Sequence, residues 1–235
     1  MITEEFSLRS PQGHGLAATN VLNIDGDPPV ALILHGMHEH GRQIFRKLSE
    51  QLAAQNIGAL RFDFTGVKDS PGSLANQTLQ DKRGEALAAL RCFEQGRARM
   101  IIGHSMGAQV AASMLDITSP EALLLFAPMA YSASLENTPI DDGFFIRSKS
   151  PGSWRDSLTF ERLKNYKGRV LLVAGDQDEL IPPGMIDAFE AACSNASFEK
   201  MIIPGAPHGL QGWLQQPENG GDRQQVLEKI AALIQ

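Results

Sequence analysis

A serine hydroxyl attacks a carbonyl only if a base takes its proton and a third group orients that base. The serine in this 235-residue sequence that meets the first structural demand is Ser105, in Met100-Ile101-Ile102-Gly103-His104-Ser105-Met106-Gly107-Ala108. The stretch opens as an apolar, β-branched run, breaks at Gly-x-Ser-x-Gly, and continues as a small, helix-compatible segment to Leu115. Strand, tight turn and helix with a serine at the apex lift the hydroxyl clear of a sheet. The helix start aims N–H groups and a positive dipole end at it, which suits developing negative charge. The bare pattern is cheap in a chain with 22 glycines, where an ordinary glycine-rich turn could produce it. The flanking strand and helix give it weight.

Six histidines could serve as the base: His14, His35, His38, His40, His104 and His208. Of these, His208 alone follows the serine after further strands. It lies in a Gly/Pro loop, from which a ring can hang over strand ends. Two carboxylates compete as its partner. Asp178 stands deeper in its loop, before Leu180-Ile181-Pro182, and is favoured. Asp176, directly after Gly175, is better placed to hold the turn by an Asx-type bond.

Apolar runs set the elements that must position these groups. A hairpin is expected over residues 4–22, then strands at Val30–Leu34, Ile57–Phe62, Ala98–Gly103, Glu121–Phe126, Arg169–Ala174 and Ser197–Ile203. Helical periodicity or composition fills Gly41–Gln55, Gln77–Phe93, the stretch after Ser105, Ser157–Tyr166, Pro183–Ala192 and Asp222–Ile234, where Asp222 is a candidate cap. Apolar strands alternating with helix-length crossovers predict an open, mostly parallel sheet with an antiparallel start and helices on both faces. Sites in such sheets gather at the carboxyl ends of the strands. His35, Asp63, Ser105, Pro128, Asp178 and His208 all fall just past strand ends.

The bulk composition excludes several functions. Net charge is −6, from 21 basic and 27 acidic residues, which argues against a nucleic-acid partner. No apolar run approaches a membrane span. The two cysteines form no framework and no metal pattern, which suits a reducing, cytoplasmic setting. The acidic start, Met1-Ile2-Thr3-Glu4-Glu5-Phe6, lacks the order of a signal peptide. His35, His38 and His40 crowd around Glu39, but no further ligand cluster supports a metal, and none is expected.

With Gly103-His104-Ser105-Met106-Gly107, Gly175-Asp176-Gln177-Asp178 and Pro207-His208-Gly209 in that order, the chain resembles the α/β-hydrolases. His35-Gly36-Met37 and Arg61-Phe62-Asp63-Phe64-Thr65-Gly66 extend the resemblance over essentially the whole chain. It is nearest to small esterase, lipase-like and serine-aminopeptidase-like members. The loop Thr65-Gly66-Val67-Lys68-Asp69-Ser70 departs from the family's frequent Arg-Gly-x-Gly-x-Ser. The resemblance implies one α/β-hydrolase domain over residues 1–235, an eight-stranded sheet, and a short lid-like insert at about 129–156. It implies Ser105 as nucleophile, His208 as base, Asp178 as acid, and the backbone N–H groups of Met37 and Met106 as the oxyanion hole. The implied activity is hydrolysis, through an acyl-enzyme, of carboxylic esters or thioesters of small to medium acyl groups. The implied partner is a small acyl substrate with no cofactor, and a homodimer is left open. His38, Phe144, Phe145, Trp154, Leu180 and Ile181 are candidates for the substrate pocket, although the insert's rings could equally pack on the core. Acyl transfer or peptide hydrolysis could use the same residues, and a non-catalytic binding protein is the rival from another class.

Overall fold

The apolar runs become the middle of a single sheet. In the computed structural model, which describes residues 1–234, eight strands are ordered β1-β2-β4-β3-β5-β6-β7-β8. They are β1 (Ile2–Arg9), β2 (Gly15–Leu22), β3 (Ala31–Leu34), β4 (Ala59–Phe62), β5 (Met100–His104), β6 (Ala122–Phe126), β7 (Arg169–Gly175) and β8 (Ser197–Ile203). The β1–β2 and β2–β4 pairs are antiparallel, and every later pair is parallel.

Strand period decides which core each side chain joins. Along β3, Leu32 and Leu34 enter one core, while Ala31 and Ile33 enter the other. Along β6, Leu123 and Leu125 oppose Ala122, Leu124 and Phe126 in the same way. All five β6 residues are fully buried, which explains the unbroken apolar reading of that run. One core is covered by α2 (Leu79–Ala89), α3 (Met106–Ser113), α5 (Leu158–Asn165) and α6 (Met185–Ala192). The other is covered by α1 (Arg46–Ala53), α7 (Leu210–Leu214) and α8 (Gly220–Ala232). Fully burying one Leu, Ile or Phe contributes roughly 1.5–3 kcal/mol.

Three expected boundaries move for local reasons. The stripe from Gly41 begins as a 3-10 turn, Gly41–Phe45, before α1. The helix expected from Gln77 starts after Thr78, whose hydroxyl accepts from the Asp81 N–H while Asp81 accepts from the Thr78 N–H, a reciprocal cap. Asp222 is not a cap. It lies within the first turn of α8, behind Asn219, where its charge faces the positive helix end.

Because β3, β5, β6, β7 and β8 run parallel, residues following Leu34, His104, Phe126, Gly175 and Ile203 leave the sheet along one edge.

Candidate active site

At the end of β5 the backbone turns in one residue from strand to helix. Ser105 takes φ 54°, ψ −120°, a conformation that costs a non-glycine residue on the order of 1–3 kcal/mol. Neighbours hold it there: its N–H donates to the Phe126 carbonyl at 3.0 Å, and its carbonyl accepts from Ala108 at 3.0 Å and Met129 at 3.2 Å. The glycines permit the approach. A Cβ on Gly103 would lie 2.5 Å from the Gly107 carbonyl oxygen, and one on Gly107 would lie 2.2 Å from that of Leu34. Gly107 is thus required by the adjacent strand β3, not by its own strand. Met106 is the first residue of α3, so its N–H has no acceptor within the helix.

The Ser105 hydroxyl lies 3.0 Å from His208 Nε2, and His208 Nδ1 lies 2.8 Å from Asp178 Oδ2. The other Asp178 oxygen accepts from the N–H groups of Leu180 at 2.9 Å and Ile181 at 3.2 Å. Burial alone would raise the Asp178 carboxyl. The hydrogen bond and charge of His208, with the two N–H groups, outweigh it and lower it below the ordinary range. An ionised carboxylate only accepts, so Nδ1 carries a proton, and in the neutral ring Nε2 is the nitrogen left to accept from the serine hydroxyl. Asp176 does not reach the ring. Its Oδ1 accepts from Gly205 at 2.7 Å, joining the loops after β7 and β8.

Two buried histidines brace these loops. His35 Nδ1 donates to the Gly36 carbonyl at 2.7 Å, and its Nε2 accepts from the Phe64 N–H at 3.0 Å. His104 Nε2 donates to the His208 carbonyl at 3.1 Å. Burial lowers both rings to about 3, so each is neutral and acts as a fixed tie rather than a base.

Sequence reasoning missed the polar clamps behind the site. Arg42, beneath the loop after β3, pairs with Asp63 and, at 2.8 Å, with Asp69. Asp63 is fully buried, so this residue past a strand end is structural. Lys82 and Glu85, both with fully buried side chains, grip Thr65. The ammonium donates to its carbonyl at 2.9 Å, and the carboxylate accepts from its N–H at 3.0 Å. Charges three apart on a helix otherwise read as a solvated face, so no sequence signal marks this pair.

Comparison with known proteins agrees with the topology. The family model described as serine aminopeptidase, S33, matches residues 29–141. That span holds His35-Gly36-Met37 and Ser105 but not Asp178 or His208. A structure of Est1E from Butyrivibrio proteoclasticus with ferulic acid bound is similar over 97% of this chain and 99% of its own, with TM-score 0.72 and 20% identity. A monoacylglycerol lipase from Paleococcus ferrophilus is similar over 92% of this chain and 98% of its own, with TM-score 0.69 and 17% identity. The chain has the α/β-hydrolase fold. An uncharacterized protein of Mycobacterium tuberculosis strain H37Rv is 25% identical over 186 residues. That match covers 78% of this chain and 64% of the relative, so the chain spans a little under two thirds of its length.

In this hydrolase fold a cavity of about 530 Å³ opens beside Ser105 and His208. Its walls include Met37, His38, His104, Met129, Tyr131, Phe145, Leu180, Ile181 and Pro182. Four of the pocket candidates, His38, Phe145, Leu180 and Ile181, therefore line it. Phe144 and Trp154 do not. Phe144 is 0% exposed and packs on Tyr131 at 5.1 Å between ring centroids. Trp154 is buried edge-on to Phe160, 5.9 Å away. Helix α4 (Asp142–Ser148) turns Phe144 into the core and leaves Phe145 at the wall. The insert is pinned at its start, where the Tyr131 N–H donates to the Gln109 side chain on α3, and at Glu136, which accepts from Arg162 at 2.7 Å.

Among the described residues no group of His, Cys, Asp and Glu is arranged to hold a metal ion. No helix there is long and apolar enough to cross a membrane.

Proposed function

We propose that the protein is a serine hydrolase that cleaves carboxylic esters or thioesters of small to medium acyl groups through an acyl-enzyme on Ser105. The observation that carries this reading is the hydrogen-bonded series Ser105–His208–Asp178 at 3.0 and 2.8 Å, opening into a largely apolar cavity. His208 Nε2 takes the hydroxyl proton as Ser105 Oγ bonds to the acyl carbon. The carbonyl oxygen, now negative, accepts from the backbone N–H groups of Met37 and Met106. His208 then delivers the proton to the leaving oxygen or sulfur. Water, deprotonated by the same ring, releases the acid and restores Ser105. One such oxyanion donor is worth roughly 3–4 kcal/mol of barrier. Asp178 keeps Nδ1 protonated and steadies the imidazolium. The residues from 129 to 156 serve as a short lid whose inner edge, at Met129, Tyr131 and Phe145, shapes the acyl site.

The test is a series of p-nitrophenyl and thioester substrates of increasing acyl length, with wild type and Ser105→Ala. We expect turnover by the wild type, with a fall on the order of a millionfold in kcat for the variant. A variant that keeps a tenth of the wild-type rate would overturn the assignment.

A further inference from the structure

Two charges lie in the core rather than on the cavity wall. Lys82 and Glu85 on α2 have fully buried side chains, with their charged ends 3.5 Å apart. A buried ion pair rarely adds stability over apolar side chains of similar size, because both ions lose their water. What this pair does hold is one residue. The Lys82 ammonium donates to the Thr65 carbonyl at 2.9 Å, and Glu85 accepts from the Thr65 N–H at 3.0 Å. The same ammonium sits 5.5 Å from the centroid of the Phe64 ring. The loop after β4 is thus fixed on both sides of Thr65.

Thr65 adjoins a chain of bonds that ends at the reacting edge. The Phe64 N–H donates to His35 Nε2 at 3.0 Å, and His35 Nδ1 donates to the Gly36 carbonyl at 2.7 Å. The Phe64 and His35 rings meet edge-on, 4.8 Å between centroids. Gly36 runs against the serine: a Cβ on it would lie 2.9 Å from Ser105 Cβ. The Gly36–Met37 peptide is trans, so its carbonyl and its N–H point in opposite directions. Holding the Gly36 carbonyl therefore sets the direction of the Met37 N–H, which faces the carbonyl oxygen in the reading above, on which this inference rests. The His38 N–H also donates to that carbonyl, at 3.1 Å, and the Ser70 hydroxyl holds the Asp63 carbonyl at 2.7 Å. Losing the ion pair would then loosen the peptide without releasing it.

We propose that Lys82 and Glu85 are positioning residues for the oxyanion hole: by fixing Thr65 they keep Phe64, His35 and the Gly36–Met37 peptide in line, and so aim the Met37 N–H at the oxygen that becomes negative. The test uses a trifluoromethyl ketone beside the ester series. Ser105 adds to the ketone carbon, its proton passes to His208, and the ketone oxygen takes the negative charge among the same N–H groups. Its Ki reads the oxyanion hole and does not depend on the fraction of active enzyme. Lys82→Met/Glu85→Met removes both grips and leaves no lone buried charge. It should raise Ki, and lower kcat per fluorophosphonate-titrated site, by about ten- to a hundredfold, short of the loss of a whole donor. KM should stay within about twofold of wild type. The apparent pKa of kcat/KM should not move, because His208 is untouched. Lys82→Met/Glu85→Gln restores an acceptor for the Thr65 N–H and should recover roughly threefold, the lower range of one hydrogen bond. An unchanged Ki in the folded first variant, or a KM and pKa that move along with kcat, would make the pair merely structural and overturn the inference while the serine reading stands. If the first variant does not fold, the second decides: a Ki raised by about threefold at constant KM supports the inference, and an unchanged Ki overturns it. A wild type that neither cleaves the esters nor binds the ketone overturns the serine reading and this inference together.

Discussion

Asp176 and Asp178 show how a two-residue difference separates roles. In the sequence both carboxylates follow a strand end and either could face the histidine. Depth in the loop favoured Asp178 but could not supply the distance. In the fold, Asp178 meets His208 at 2.8 Å while Asp176 crosses to Gly205 at 2.7 Å. Asp178→Asn should therefore lower kcat by about 10⁴, because an amide no longer fixes the ring tautomer. Asp176→Asn keeps an oxygen for the Gly205 N–H and should lose less than tenfold. Steady-state kinetics on folded variants check this, and a deader Asp176 variant would reverse the assignment. His38 was legible as a candidate for the pocket wall, and it lies there. That its buried ring nitrogens lack partners depends on packing among loops far apart in sequence.

The elements that bear the site were largely legible, because a buried strand needs an apolar run and a sharp strand-to-helix turn needs small residues. The insert after β6 was not. Its aromatics have no period, so the sequence left pocket and core equally open. A single residue step along α4, about 100° around the helix, separates them, sending Phe144 inward and Phe145 to the cavity. Phe144→Ala should cost about 3–5 kcal/mol of stability, read as a lower urea midpoint, with little change in acyl-length preference. Phe145→Ala should cost much less and shift that preference. Equal destabilisation with unchanged preference for both would show that Phe145 is also core. Arg42–Asp63 and Lys82–Glu85 were illegible for a different reason, since charges are normally placed outside and only the closure of loops around them buries these.

Burying neutral histidines gives the whole molecule a particular pH response. His35 and His104 hold to about 3 in the fold but titrate near pH 6.5 once unfolded. The folded pKa is the lower one, so each ring's contribution is fully present above about pH 6.5. It is lost as pH falls from there toward 3, where the unfolded chain binds the proton and the fold does not. Each ring adds a slope of about 1.4 kcal/mol per pH unit within that window. Urea unfolding between pH 4.5 and 7.5 should show stability rising with pH. His35→Gln should reduce the slope between pH 5 and 6 by close to one proton. An unchanged slope would mean that His35 takes up its proton in the folded state.

A Ser105 nucleophile activated by His208 should react with a fluorophosphonate, and intact-protein and peptide mass spectrometry after such treatment reads the product. We expect one phosphonyl group per chain, located on Ser105, absent from Ser105→Ala, and acquired at least a hundredfold more slowly by His208→Gln. A wild type that takes no label, or label that persists at full stoichiometry in Ser105→Ala, would contradict it.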